Sequence, residues 1–74
     1  ALIRKLNNTL AKTEEEISKT EQEIADLEEE LVSPQVSSDY IKAGEISALI
    51  DEKNEKLSEL YDLWEETEEK LSAQ

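Results

Sequence analysis

Apolar residues recur along this chain at alternating intervals of three and four. Ile3, Leu10, Ile17, Ile24 and Leu31 take one heptad position, called a here; Leu6, Thr13, Thr20 and Leu27 take the position called d. Four heptads without a slip predict a coiled-coil helix over about residues 2–32. Glu, Lys, Ala, Gln and Ser fill much of the space between them, and most of these are good helix formers. The second half repeats the rhythm: Ala43, Ile50, Leu57, Trp64 and Leu71 fall at a, and Ile46, Lys53, Leu60 and Thr67 at d. This predicts a second helix over about residues 38–72.

Ser33-Pro34-Gln35-Val36-Ser37-Ser38 interrupts the two runs. A proline lacks the N–H that a helix interior needs and biases the residue before it away from helical torsion angles, so the first helix should stop near Val32. Ser33 with Pro34 also suits the start of a short helical turn. Ser37 or Ser38 is then expected to cap the second helix, with Asp39 in its first turn. A connection over about residues 33–37 folds two long helices back on each other. The expected fold is therefore all-α: a single antiparallel two-helix coiled-coil hairpin with a proline-containing turn. The alternative is one long bent helix that pairs with a second chain.

Two registers fit the pattern. The looser one sets Leu31 against Ile46, Ile17 against Leu60 and Thr13 against Trp64, with Glu23 near Lys56. The tighter one sets Leu31 against Asp39, Leu10 against Leu60 and Leu6 against Trp64, with Glu16 near Lys56 and Glu30 near Lys42. Exposed ion pairs contribute only about 0–1 kcal/mol each, so charge does not choose between them. Thr13, Thr20, Thr67 and Lys53 are polar interruptions of the seam, expected to specify pairing at some cost in stability. Lys53 should lay its stem in the seam and keep its ammonium in water.

The second helix carries more apolar surface than a two-stranded seam requires. Leu49 and Leu63 fall at g and Tyr61 at e, and with Trp64 they widen the stripe. They shield the seam's flank or form a docking strip for a further element. Val36, Tyr40 and Ile41 lie near the tip, where they pack the turn or touch a target. These seven are the interaction candidates.

Composition narrows the function. The chain has 74 residues and a net charge of −12, with no cysteine, histidine or methionine. The acids divide evenly, 9 in residues 1–37 and 11 in residues 38–74. Nucleic acids and anionic membranes need a basic face, and neither half has one. A basic protein surface suits the charge. Disulfide and thiolate chemistry are excluded, and no apolar run approaches the roughly 18 residues of a membrane span. High charge with few aromatics also suits disorder, but the sustained heptads argue against it.

No residues suggest chemistry. In the triplets Glu14-Glu15-Glu16 and Glu28-Glu29-Glu30, adjacent side chains point about 100° apart, so they fan into solvent and form no metal cage. A two-helix hairpin offers no cleft to shift the pKa of a carboxylate pair. No glycine-rich phosphate loop exists; the one glycine, Gly44, lies early in the second helix. No catalytic, cofactor or metal residue is expected. At the N-terminus nothing before Leu2 caps a helix, and Arg4 and Lys5 oppose the macrodipole. This predicts that the first helix continued upstream, in a larger protein.

The stretch Asp26-Leu27-Glu28-Glu29-Glu30-Leu31-Val32-Ser33-Pro34-Gln35-Val36-Ser37-Ser38-Asp39-Tyr40 resembles the turn of the C-terminal domain found in many ABC-F ATPases. Those domains tend to have an acidic, leucine-bearing helix, a proline turn and an Asp-Tyr start to the next helix. Leu57-Ser58-Glu59-Leu60-Tyr61-Asp62-Leu63-Trp64-Glu65-Glu66 is similar to their ending. Here Ser33 stands where an Asp often precedes the proline. The resemblance implies a soluble, cytoplasmic bacterial parent with two nucleotide-binding cassettes, acting on the ribosome in translation or antibiotic resistance. ATP and magnesium would belong to that parent, since none of the ATP-binding motifs lies in these residues. The hairpin would be a non-catalytic accessory domain contacting ribosomal components or the parent's cassettes, as a monomer rather than a homodimer. Some relatives bind DNA through this hairpin, a role that the acidic charge disfavours here. A generic dimerisation or spacer coiled coil is the remaining alternative.

Overall fold

A computed structural model describes residues 1–73. Helix α1 spans Leu2–Leu31, a single-turn helix α2 spans Pro34–Ser37, and helix α3 spans Tyr40–Ser72. At 1.5 Å per residue the two long helices measure about 45 and 50 Å, and the whole molecule extends 54 × 14 × 14 Å. The helices must therefore lie side by side, and the short connection makes α3 run back along α1. Their mutual packing is the main tertiary contact. The molecule is a helical hairpin with its turn at the proline.

The turn is more structured than a plain loop. Ser33 is extended (φ −68°, ψ 144°), and Pro34 begins α2 with the fixed φ that suits a first helical position. The Ser33 hydroxyl donates back to the Glu30 carbonyl at 2.8 Å, satisfying an end of α1 rather than capping α2. Ser38 ends α2 and its hydroxyl donates to the Pro34 carbonyl at 2.7 Å. Since Ser38 is committed to α2, the cap of α3 falls to Asp39, one residue later than the serines suggest. Asp39 Oδ1 accepts from the amides of Ile41 at 3.1 Å and Lys42 at 3.2 Å. Such a cap contributes about 1 kcal/mol, and its negative charge complements the helix dipole.

The core is one thin seam. Its buried apolar residues are Ile17, Ile24, Val36 and Ile46, and the buried polar ones are Thr13, Thr20 and Thr67. Thr13 and Thr67 donate their hydroxyls to the carbonyls four residues back, at 2.7 and 2.8 Å. Thr20 is the most buried of the three, and its hydroxyl has no partner. Thr13 lines a groove with Leu60 and Leu63, and Ile17 lines one with Tyr61 and Trp64. These neighbours exchange the partners of the looser register, which set Ile17 against Leu60 and Thr13 against Trp64, but lie closer to it than to the tighter one, which would bring Leu10 to Leu60 and Leu6 to Trp64.

The ion pairs do not follow either register cleanly. Lys53 Nζ reaches Glu23 at 3.3 Å, while Lys56 reaches Glu16 at 3.6 Å. The Glu16–Lys56 pair belongs to the tighter register, whereas the looser one brings Glu23 to Lys56. Lysine and glutamate side chains are long enough to reach about a helical turn up or down the neighbour, so one backbone alignment accepts several pairings. The Lys53 side chain is part-buried, and its ammonium meets Glu23 across the seam.

Candidate functional site

The hairpin has two long flanks, and they differ in chemistry. On one, Tyr61 at position e and Trp64 at position a line a groove of about 290 Å³ together with Glu14, Ile17, Ser18 and Glu21 of α1. The Tyr61 hydroxyl donates to Glu21 Oε2 at 2.9 Å, tying the rim across the two helices. A second groove is lined by α3 residues alone, Asp62, Glu65, Glu66, Glu68 and Glu69 with Trp64 itself. Neither groove is lined by a lysine or arginine. On the opposite flank, Leu60 and Leu63 share a groove with Thr13, Glu15, Glu16 and the cation Lys12. Lys56 also pairs with Glu16 there.

The structure thus divides the proposed docking strip. Tyr61 and Trp64 come together; Leu63 lies on the other flank because e and g project to opposite sides of the a/d seam. Leu49 stands two heptads from Leu63, about 21 Å along α3. Leu49, Tyr61 and Leu63 are each a little over two-fifths exposed, which fits flank positions, and Trp64 is half-buried. At the tip, Val36 is buried inside the turn and offers no surface, whereas Tyr40 and Ile41 are 96% and 76% exposed and do not pack the turn as the sequence suggested. They stand in the first turn of α3. Val32, as exposed as Ile41, is a tip residue that the heptad pattern does not single out, because its place just after the last a position marks it only as a helix end.

The Tyr61–Glu21 bond has a pH signature. The hydrogen bond to the Glu21 carboxylate, more than partial burial or the negative charge itself, holds the Tyr61 phenol above its ordinary value of 10.0. The folded state therefore keeps this proton more tightly than the unfolded chain. Whatever stability the bond adds is complete below about pH 10 and disappears as pH rises through the elevated folded value. In a Tyr40→Phe background, which leaves Tyr61 as the lone tyrosine, absorbance titration should place tyrosinate formation above pH 10. Glu21→Gln should bring it down; an identical midpoint in both proteins would show that the bond does not form in solution.

Among the described residues, no helix is long and apolar enough to cross a membrane, and no group of three or more carboxylates converges as a metal site. The sequence model of one family, the ABC transporter C-terminal domain, matches residues 1–69. No curated protein and no solved structure matches the chain.

Proposed function

This chain belongs to the ABC transporter C-terminal domain family, and from that premise we propose that it is the non-catalytic accessory hairpin of an ABC-F-type ATP-binding protein. In this reading it is an antiparallel coiled coil that acts as a docking arm, contacting ribosomal components or the parent's own nucleotide-binding cassettes in the cytoplasm. ATP and magnesium belong to those cassettes, and the hairpin serves them as a monomeric appendage. The observation that carries the proposal is the family match, which covers nearly the whole chain. The proline turn, the Asp39-Tyr40 start of α3 and Trp64-Glu65 near its end support the narrower ABC-F assignment.

The net charge of −12 argues against the DNA-binding role of some relatives, because a phosphate backbone repels such a surface. A basic protein face is the better match. Deleting residues 1–74 from the parent should weaken its co-sedimentation with ribosomes, its ATPase rate, or both. Wild-type values for both would mean that the hairpin is not a docking arm for either target.

A further inference from the structure

We propose that the groove formed by Glu14, Glu21, Tyr61 and Trp64 receives an arginine side chain from a basic, extended segment of a partner protein. The inference rests on reading the hairpin as a docking arm, and adds the chemistry of what docks. Three observations converge. The chain's one tryptophan is half-buried at an a position and lines two grooves. Both grooves are lined by carboxylates and by no cation. The opposite flank carries Lys12 and the Lys56–Glu16 pair; on the indole's side Lys70 pairs with Glu66 at 3.3 Å, while Glu14 and Glu21 form no ion pair among the described residues.

A guanidinium suits such a place. It stacks on an aromatic face, where the ring quadrupole attracts it, and its planar fork donates to carboxylates alongside. Low-dielectric walls lined by one sign of charge also concentrate the field and draw in the opposite charge. The Tyr61 hydroxyl bond anchors Glu21 at the rim, so less side-chain freedom is lost when the cation arrives. Glu14 flanks the groove one heptad before Glu21 on the same face of α1. Trp64 lines both grooves, so an extended segment seated on the first can place further basic residues beside Glu65 and Glu68 in the second.

The probe is a hexa-arginine peptide, with hexa-lysine for comparison, titrated into the 74-residue chain at physiological salt. Binding is read by the emission of Trp64 and, with a labelled peptide, by anisotropy. Hexa-arginine should shift the Trp64 emission, and Trp64→Leu should weaken its binding roughly tenfold, the scale of a partly desolvated cation–π contact. Hexa-lysine should bind more weakly than hexa-arginine. The pair Glu14→Gln/Glu21→Gln should also weaken binding, whereas Glu29→Gln/Glu30→Gln, with the same change in net charge near the turn, should alter it less than twofold. Glu14 and Glu21 are exposed, so that pair tests the site even if Trp64→Leu disturbs the fold. Equal losses in the two glutamine pairs, or unchanged Trp64 emission at saturation, would overturn the proposal in favour of diffuse polyelectrolyte attraction. The docking-arm reading fails separately. If deleting the hairpin weakens ribosome association or the parent's ATPase rate and Glu14→Gln/Glu21→Gln in the parent does neither, the groove is wrong and the arm stands. If deletion changes nothing, the arm itself is wrong.

Discussion

Replacing Ile24 by alanine should destabilise the hairpin by about 2–3 kcal/mol, the lower part of the range for truncating a buried isoleucine. Ile24 is 8% exposed and is one of four buried apolar residues among those described. A two-helix seam buries one stripe per helix, so no second layer exists to share the loss, and a chain of this size has little stability in reserve. The seam is also open at its flanks, which lets neighbours settle partly into the space and keeps the cost below the maximum. The melting temperature should fall by on the order of 10 °C. Val32→Ala removes apolar atoms from a residue that is 76% exposed and should change stability by less than about 0.5 kcal/mol. Thermal melts of the two variants followed by circular dichroism make the comparison. Similar melting temperatures would mean that the α1–α3 seam is not the source of stability.

The second large effect runs the other way. Thr20 is 1% exposed, and its Oγ1 is buried without a hydrogen-bond partner. An unsatisfied buried polar group costs about 1–3 kcal/mol. Thr20→Val keeps the β-branched shape and replaces the hydroxyl by a methyl, so the variant should be more stable by about 1–2 kcal/mol. Thr13 and Thr67 occupy the same kind of position, but their hydroxyls are satisfied by the carbonyls of Thr9 and Leu63. Thr13→Val and Thr67→Val give up that bond and should gain less than Thr20→Val. The ordering among the three variants is the diagnostic, measured by urea denaturation at fixed slope. A Thr20→Val protein no more stable than the other two would show that its hydroxyl finds a partner in solution. Such threonines have a counterpart in coiled coils generally, where polar core residues disfavour alternative pairings at a cost in stability.

Much of this architecture was legible in the residues because the signals are local. A heptad pattern states which face of a helix is apolar, and Pro34 states where the chain cannot continue as a helix. Those two facts gave the long helices, the reversal between them, and the polar interruptions at Thr13, Thr20, Thr67 and Lys53. Pro34 after Ser33 even indicated the single turn of α2. The site was less legible. Helical position told that Tyr61 and Leu63 widen the stripe on α3, but a stripe drawn on one helix does not say which residues of the other helix complete each flank.

The tertiary structure decided what depends on meeting across the chain. It fixed Asp39 as the cap of α3, because α2 had already taken Ser38. It buried Val36 in the turn and left Tyr40 and Ile41 in solvent. It paired Lys53 with Glu23 and Lys56 with Glu16, a choice made by side-chain reach rather than by backbone register. And it placed Glu14 and Glu21 beside Tyr61 and Trp64, residues about forty or more positions apart in sequence. Periodicity along one helix carries no information about that encounter; it arises only when the turn sets how far α3 slides along α1.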